Sequence, residues 1–350
     1  MYFSMGLSAR WHINFPGQMI PALWNLQKRV FNIKGQTDFL ESALEIFNYQ
    51  YNNNLLYHDF VNSLGKYPSK ILSPFEIPFL PVEFFRNHKI ITGDLQVEKI
   101  FESSGTTGDS PGRHFVNDIR LYEESFLKTF RLFYGEPGEY LIAALLPSYI
   151  EREGSSLVYM ADNLIKRSNN PGSGFYRSNV GDLIQTINKA KAVNQKILLL
   201  GVSFALLDLA ETKAPDLSGV IVMETGGMKG MRKELTRSEL HAILKEKLNL
   251  TSIHSEYGMT ELLSQAYSKG EGIFYCPPWM KVIVRDPQDP LTLFTETDKT
   301  GGINIIDLAN INSCSFIATG DLGRIHDDGG FEVLGRFDNS EIRGCNLLVE

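Results

Sequence analysis

The chain has 350 residues, of which 43% are hydrophobic and 21% charged, so it is long enough to bury a sizeable core. Asp and Glu number 41 against 34 for Lys and Arg, and a formal net charge of −7 without a basic stripe argues against a nucleic-acid partner. The three cysteines are odd in number and far apart, which does not suggest a disulfide framework. No run approaches the roughly 18 consecutive apolar residues of a membrane span, and no signal-peptide pattern is present. We therefore expect a cytoplasmic protein without a transmembrane segment.

The first third of the chain reads as helical and then extended. Helical periodicity runs from Ile20 to about Tyr57. Four prolines between positions 68 and 81 then exclude a helix interior, so residues 77–82 are expected to be extended. The stretch 102–112 is rich in glycine, serine and threonine and lies between apolar segments at 100–101 and 114–116. It predicts a turn between two short strands.

The middle of the chain alternates between helical and strand patterns. Buried strands are predicted at residues 140–146, 197–200 and 220–223, with a short strand at 252–255. Helices are predicted at residues 118–135 and 182–193, after Gly201 to about Glu211, and from a capping box at Thr236 and Glu239. From Val282 onward the pattern is rich in strands and turns. The sequence therefore predicts an α/β protein with α/β subdomains and a β-rich subdomain.

The glycine-serine loop has the composition of an anion-binding turn. Glycines allow backbone N–H groups to approach an anion, and hydroxyls add further donors. It is not a P-loop, because no lysine follows the glycines. A flexible surface turn is the alternative that composition alone leaves open. The residues predicted to bind phosphate are Ser103, Ser104, Gly105, Thr106, Thr107 and Gly108.

Four polar, glycine-containing loops follow predicted strands, and loops at the carboxyl ends of strands can converge on one crevice. They cover residues 103–108, 224–227, 257–261 and 319–321. Glu261 offers a hard oxygen ligand that suits Mg²⁺. Asp321 can accept hydrogen bonds from two ribose hydroxyls, and Arg336 can offer its planar guanidinium to a ribose or phosphate oxygen.

The order of these motifs resembles the adenylate-forming superfamily, which includes acyl-CoA synthetases, peptide-synthetase adenylation domains and firefly luciferase. The motifs are Ser-Ser-Gly-Thr-Thr-Gly, Tyr-Gly-Met-Thr-Glu, Thr-Gly-Asp and Gly-Arg-x-Asp, and they span residues 103–338. The resemblance implies ATP and Mg²⁺ as cofactors, with Thr260 and Glu261 on phosphate and metal and Asp321 on ribose. It further implies nucleotide contacts by Gly226 and Gly227 and by Glu256, Tyr257 and Gly258.

Segments at residues 77–85, 201–211 and 343–348 look more specifically like the LuxE-type acyl-protein synthetases, which activate fatty acids. This resemblance implies a fatty acid or other carboxylic acid as substrate and an acyl-acceptor protein as partner. It also implies that Cys345 carries the acyl group, with Arg343 nearby to lower its pKa. Members of the superfamily continue into a mobile domain with a catalytic lysine, whereas this sequence ends at Glu350. We therefore expect a large domain at 1–335, a hinge-like tail at 336–350 and no C-terminal lysine domain, or a truncated chain.

Other functions remain open at this stage. The acyl acceptor can be coenzyme A or an acyl carrier protein instead of a protein cysteine. Ser203 lies in a Gly-x-Ser-x-Ala turn that partly resembles a nucleophile elbow, so a serine acyltransferase or thioesterase using Asp321 and His326 is an alternative. A third possibility is an inactive nucleotide-binding scaffold. Cys276 and Cys314 lie in hydrophobic surroundings and are predicted to be inert core thiols.

Overall fold

A computed structural model describes residues 21–103, 110–147, 153–226 and 235–337. Its helices are α1 (Pro21–Val30), α2 (Gln36–Asn53), α3 (Leu55–Ser63), α4 (Phe84–Asn87), α5 (Ile119–Tyr134), α6 (Ser156–Ser168), α7 (Val180–Ala192), α8 (Ser203–Thr212) and α9 (Arg237–Leu248). Its first strands are β1 (Leu80–Pro81), β2 (Lys99–Glu102), β3 (Arg113–Val116), β4 (Tyr140–Leu145), β5 (Gly174–Phe175), β6 (Lys196–Val202) and β7 (Ile221–Thr225). The later strands are β8 (His254–Tyr257), β9 (Ala266–Ser268), β10 (Ile273–Phe274), β11 (Met280–Arg285), β12 (Gly301–Asp307), β13 (Phe316–Ile325) and β14 (Phe331–Arg336).

The first sheet is mainly parallel and has the strand order β5-β4-β6-β7-β8-β9. Only the edge strand β9 pairs antiparallel, with β8. Every residue of β4 is buried, and its alternate residues enter different cores. Ile142 and Ala144 pack with apolar side chains of α5 and α6, while Leu141 and Ala143 pack with those of α7, α8 and α9. Helices on both faces explain why this strand reads as an unbroken apolar run.

The second sheet has the order β10-β14-β13-β12-β11, with β1 added in parallel to β13. Its neighbours along the main path are antiparallel. This sheet corresponds to the β-rich region predicted after Val282. Its core includes Ile305, Phe316 and Phe331, and it is continuous with the core beneath α5 and α6.

Strands β2 and β3 form a separate antiparallel hairpin with Glu102 opposite Arg113. The hairpin carries the glycine-serine loop, as predicted. The backbone N–H of Ser103 donates a hydrogen bond of 2.9 Å to Gly112 O, which closes the base of the loop. Residues 104–109 lie outside the described residues.

Several element predictions need correction. The continuous helical pattern from residue 20 to 57 contains separate helices, and Asn54 ends α2 and caps α3 by accepting a hydrogen bond from Tyr57 N. Helix α6 was not predicted, although Ser155 caps it and Val158, Ala161 and Leu164 lie on its buried side. The prediction of a loop at residues 319–321 was wrong, because these residues lie inside β13.

Two further sequence expectations concern the ends of the chain and membrane association. Residues 338–350, which include most of the predicted hinge-like tail, lie outside the described residues. Among the helices that the structure describes, none is long and apolar enough to cross a membrane.

Candidate active site

Glu261 lies in the turn that follows β8, at the carboxyl end of the parallel sheet. The residue is only 7% exposed. Burial raises the pKa of its carboxyl group to about 6, although the positive charges of Arg336 and Arg86 act in the opposite direction. A desolvated carboxylate is stabilised by a cation, so this side chain fits the role of a Mg²⁺ ligand.

The base of the glycine-serine loop lies directly against Glu261. Ser103 Oγ accepts a hydrogen bond of 2.8 Å from Gly112 N. A Cβ atom on Gly112 would lie 2.5 Å from Glu261 Oε1, so any larger residue here would force this carboxylate to move. The two motifs that the sequence analysis assigned to phosphate and metal are therefore neighbours. Ser104, Gly105, Thr106, Thr107 and Gly108 lie outside the described residues.

Asp321 joins the two sheets at the same place. Its Oδ2 accepts a hydrogen bond of 2.8 Å from the Tyr257 hydroxyl, at the end of β8. Its Oδ1 lies 3.4 Å from Nε of Arg336, which is directly opposite in β14 and whose side chain is 80% exposed. A carboxylate has about four acceptor sites, so Asp321 can accept further hydrogen bonds from vicinal hydroxyls. The contact between Asp321 and Arg336 was not predicted, because pairing of β13 with β14 brings them together.

Glu256 and Gly258 flank Tyr257 and differ in their exposure to solvent. Glu256 is 8% exposed, and its carboxyl accepts a hydrogen bond from the Thr225 hydroxyl. Burial raises the pKa of Glu256 to about 7, and the negative charge of Glu224 adds to this effect. Gly258 is exposed and lies beside the Glu256 carboxyl. Glu256, which was predicted to contact the nucleotide, thus has a buried carboxyl group.

The second glycine motif sits at the end of β7. Gly226 follows this strand, and its carbonyl oxygen accepts a hydrogen bond from the Ser203 hydroxyl. Gly227 lies outside the described residues. Strands β6 and β7 are neighbours in the sheet, so the turn after β6 and the turn after β7 are adjacent.

Ser203 is not part of a catalytic triad with the residues considered for that role. Its hydroxyl contacts Gly226 O and lies 3.2 Å from Glu224 Oε2. His326 instead lies 2.9 Å from Asp298, and Asp321 is bonded to Tyr257. The three residues therefore do not assemble as a nucleophile, base and acid.

Sequence reasoning missed Arg285, a buried arginine beneath the Asp321 segment. Its guanidinium donates to Thr319 O at 2.6 Å and to Asn304 Oδ1 and Ile303 O at 2.7 Å each. Burial lowers its pKa, while the negative charges of Glu83 and Asp321 oppose this shift. Arg285 fixes the backbone two residues before Asp321. No motif indicated it, since its partners are two backbone carbonyls and one asparagine side chain of other strands.

Asp307 was also missed, and it holds the turn that contains Glu261. Its carboxylate accepts hydrogen bonds from Leu263 N at 2.8 Å, Ser264 N at 3.0 Å and the Ser264 hydroxyl at 2.6 Å. The residue is fully buried, and burial raises its pKa. A buried carboxylate that accepts several N–H donors makes the turn rigid.

Of the three cysteines, Cys314 is buried, Cys276 is half-buried and Cys345 is not described by the structure. Burial raises the pKa of both Cys276 and Cys314 to about 12, so neither is a reactive thiolate near neutral pH. This agrees with their predicted role as core thiols. Cys345, the predicted acyl carrier, lies outside the described residues.

Metal ligands and cavities give little further indication of a site. Within the described part of the chain, no group of three or more His, Cys, Asp or Glu residues is arranged to hold a metal ion. Mg²⁺ bound to a nucleotide needs only one or two carboxylates, because phosphates and water supply the other ligands. A cavity of about 360 Å³ lies away from Glu261, between the start of α9 and residues 332–334 of β14.

Comparison with protein-family models and with curated proteins finds no match for this chain. Among solved structures, the chain is similar to a luciferase-like enzyme from the nonluminescent mealworm Zophobas morio, with 17% identity and a TM-score of 0.50. The similarity covers 71% of this chain and 60% of the mealworm enzyme. An O-succinylbenzoate coenzyme A synthetase from Bacillus subtilis has 18% identity and a TM-score of 0.48, over 70% of this chain and 64% of that one. A long-chain-fatty-acid–CoA ligase from Archaeoglobus fulgidus has 18% identity and a TM-score of 0.49, over 69% and 51% of the two chains.

At these identities the likeness concerns the fold alone. The chain spans about three fifths of the length of the mealworm enzyme, at 60%. The chain therefore shares its α/β fold with the mealworm enzyme over 71% of its own length, and the predicted α/β fold class is confirmed.

Proposed function

We propose that this protein activates a carboxylic acid with ATP, forming an acyl adenylate and pyrophosphate, and then transfers the acyl group to a thiol. The observation that carries the proposal is the meeting of three motifs at one edge of the parallel sheet. Gly112 of the glycine-serine loop, which is bonded to Ser103, lies against Glu261, and Tyr257 at the end of β8 is bonded to Asp321 of β13. A phosphate loop, a metal ligand and a hydroxyl acceptor are the groups that a nucleotide reaction requires.

The proposed first step is an in-line displacement at the α-phosphorus of ATP. A carboxylate oxygen of the acid forms the new P–O bond, and the bond to the leaving pyrophosphate breaks. No general base is required, because a carboxylic acid is already ionised near neutral pH. Bound Mg²⁺ supplies charge neutralisation on the phosphates. Catalysis by the protein then rests on positioning the two reactants and placing donors around the phosphates.

Each site residue has a defined part in this proposal. Glu261 holds the cation, and Thr260 beside it donates its hydroxyl to a phosphate oxygen. Asp321 accepts the ribose hydroxyls while Tyr257 orients its carboxylate from the other oxygen. Arg336, mostly exposed beside Asp321, offers its guanidinium to the nucleotide. The loop residues 103–108 and the glycines at 226 and 227 complete the nucleotide site.

The proposed substrate is a fatty acid, and the proposed acceptor is a thiol on a protein. Both follow from the LuxE-type segments in the sequence. In the second step a thiolate attacks the acyl carbonyl, a thioester forms and AMP leaves with the electron pair of the broken C–O bond. Cys345 in the tail at 336–350 is the proposed first acceptor, with Arg343 favouring its thiolate. Coenzyme A and acyl carrier protein are the alternative acceptors.

The test is acid-dependent exchange of labelled pyrophosphate into ATP, measured with a panel of fatty, aryl and amino acids. We expect exchange that requires Mg²⁺ and is fastest with fatty acids. A preference for amino or aryl acids would correct the substrate class. Absence of exchange with every acid, in a protein that still binds ATP, would overturn the proposal in favour of a scaffold.

The transfer step is tested in the same mixture with a labelled fatty acid. A hydroxylamine-labile label that maps to Cys345 and is missing in Cys345→Ser identifies the acceptor. If acyl adenylate accumulates while the chain stays unlabelled, the acceptor is a separate thiol, and addition of coenzyme A or an acyl carrier protein shows which one.

A further inference from the structure

Two buried side chains contact the backbone carbonyls of Thr260 and Glu261. His114 Nδ1 lies 2.9 Å from Thr260 O, and Asn310 Nδ2 donates to Glu261 O at 2.8 Å. Both side chains are 1% exposed. The two consecutive peptide groups that carry the proposed phosphate and metal ligands are thus held from below by residues outside every motif recognised in the sequence.

The orientation of the Asn310 amide follows from its partners. Its Nδ2 also donates to Cys314 O at 2.9 Å. A backbone carbonyl oxygen can only accept a hydrogen bond, so the NH₂ group must face both carbonyls. Asn310 Oδ1 therefore faces His114 Nε2, at 3.0 Å.

The position of the proton on His114 decides which of its two polar contacts is a hydrogen bond. Burial lowers the pKa of the imidazole to about 4, so the ring is neutral near pH 7 and carries one N–H. Thr260 O and Asn310 Oδ1 are both acceptors, so the ring donates to only one of them at a time. The tautomer with its N–H on Nδ1 bonds to Thr260 O, and the ring packs in a T-shaped arrangement against Phe85 with centroids 5.9 Å apart.

His114 also belongs to the hairpin that bears the phosphate loop. It lies in β3, two residues after Gly112, and is paired with Phe101 of β2. Gly112 contacts the Glu261 side chain from one direction, and His114 contacts the Thr260 backbone from another. Strand β3 and the glycine just before it thus make both contacts with the metal-ligand turn.

We propose that His114 is a positioning residue that couples the phosphate-binding hairpin to the metal-ligand turn through its Nδ1 hydrogen bond to Thr260 O. This inference rests on the proposed function for its catalytic consequence, while the coupling itself is a property of the fold. When the bond is present, the Glu261 carboxylate and the loop keep a fixed separation. When it is removed, the turn keeps its contacts with Asn310 and Asp307 but loses its link to the hairpin, and the cation site loses its geometry.

Three substitutions separate the possible roles of the ring. His114→Asn places an amide nitrogen near the former Nδ1 and can still donate to Thr260 O. His114→Gln reaches the position of Nε2 instead, and His114→Phe fills the volume with neither nitrogen. We expect Phe and Gln to raise the Mg²⁺ concentration for half-maximal pyrophosphate exchange by about tenfold, the typical effect of losing a group that orients a metal ligand. His114→Asn should stay within about threefold of the wild type, and KM for the acid should not change in any variant.

Amide hydrogen exchange of the peptide covering residues 257–264 gives a readout that does not depend on activity. It should become faster in the Phe and Gln variants and stay near the wild-type rate in the Asn variant. If all three variants match the wild type in Mg²⁺ dependence and amide exchange, the inference is overturned. It is equally overturned if all three are impaired alike, since that result indicates general packing. Should the wild-type protein show no pyrophosphate exchange at all, the proposed function fails, and the amide data still decide whether His114 holds the turn.

Discussion

At the scale of single residues, two buried carboxyl groups near the site have different charged and polar neighbours. Glu261 and Glu256 lie five residues apart, and burial raises the pKa of both, to about 6 and about 7. Glu261 faces Gly112 and the positive fields of Arg336 and Arg86, whereas Glu256 accepts a hydrogen bond from Thr225 and feels the negative charge of Glu224. The surroundings of Glu261 are compatible with a nearby cation, whereas those of Glu256 favour its protonated form.

Glu261→Gln should slow adenylate formation severely while leaving acid binding intact. The substitution keeps the shape of the side chain and removes the charge that holds the cation beside the phosphates. Loss of such an electrostatic contact typically costs on the order of 3 kcal/mol of transition-state stabilisation, or about 100-fold in kcat/KM. Steady-state pyrophosphate exchange measures this change. The exposed Glu296→Gln is the matched control and should have wild-type kinetics, and near-normal exchange in Glu261→Gln would show that the metal assignment is wrong.

Glu256→Gln should remove part of the pH dependence of folding stability. The pKa of Glu256 is raised from 4.5 to about 7 in the folded protein, so the folded state holds a proton that the unfolded state releases. The contribution of Glu256 to the free energy of unfolding is fully present below pH 4.5 and is lost as the pH rises through about 7. The shift corresponds to about 3 kcal/mol.

Urea unfolding at pH 5 and pH 8 tests this prediction. Glu256→Gln should match the wild type more closely at pH 5 and be the more stable protein at pH 8, because its amide is never charged. An equal difference between the two proteins at both pH values would contradict the raised pKa.

The ordered motifs allowed the identities of several site residues to be predicted, but not their surroundings. Glu261 and Asp321 were proposed from the motifs, since each is a carboxylate in a glycine-containing polar segment. His114 and Asp307 could not be found in this way. Each bonds to backbone groups far away in sequence, and a side chain that bonds to backbone leaves no complementary residue to recognise.

At the scale of elements, the β2–β3 hairpin matters because of how closely it approaches its neighbours. The sequence predicted two strands and a turn, and the structure confirms them. What the sequence could not give is the distance from the returning strand to the metal-ligand turn, which depends on packing between segments about 150 residues apart. The same limitation explains the error at Asp321, where glycines suggested a loop but pairing with β12 and β14 makes a strand.

Gly112→Ala should impair the site without unfolding the protein. The new methyl group would lie 2.5 Å from Glu261 Oε1 and 3.4 Å from Ser103 Oγ, so the carboxylate must move. We expect a higher Mg²⁺ requirement and slower pyrophosphate exchange, with little change in the melting temperature, since the displaced group is the end of a side chain. Gly35→Ala is the control, because no atom lies within 4 Å of its added Cβ. Unchanged Mg²⁺ dependence in Gly112→Ala would mean that Glu261 has room to move and is not held at a fixed distance.

At the scale of the whole molecule, polar contacts join the parallel sheet to the antiparallel sheet. The Tyr257–Asp321 hydrogen bond is one such contact. Another centres on Arg237 at the start of α9, whose Nε donates to Glu224 Oε1 at 3.0 Å and whose NH1 group donates to Val333 O at 2.9 Å. Glu224 belongs to β7 of the first sheet and Val333 to β14 of the second. The relative position of the two sheets, and hence of Glu261 and Asp321, depends on these contacts.

Arg237→Met should destabilise the protein strongly and in a pH-dependent way. Burial alone would raise the pKa of Glu224, but a hydrogen bond from His241 and the charges of Arg237 and His241 outweigh burial and lower it. Without Arg237, a carboxylate that is 3% exposed loses its main counter-charge, and breaking a buried pair in this way typically costs about 3 kcal/mol. The folded-state pKa of Glu224 then rises, so the loss should be larger at pH 8 than at pH 5.

A double-mutant cycle separates the charge effect from the loss of packing. Arg237→Met with Glu224→Gln should be more stable at pH 8 than Arg237→Met alone, because no buried charge is left without a partner. Stability is measured by urea unfolding of the four proteins at both pH values. If the double variant is as unstable as the sum of the single ones, the contribution of Arg237 lies in its bond to Val333 and its packing on the Phe274 ring, 4.9 Å away, and not in the ion pair. In that case the two sheets are joined by contacts that do not depend on charge, and their relative position should be insensitive to pH.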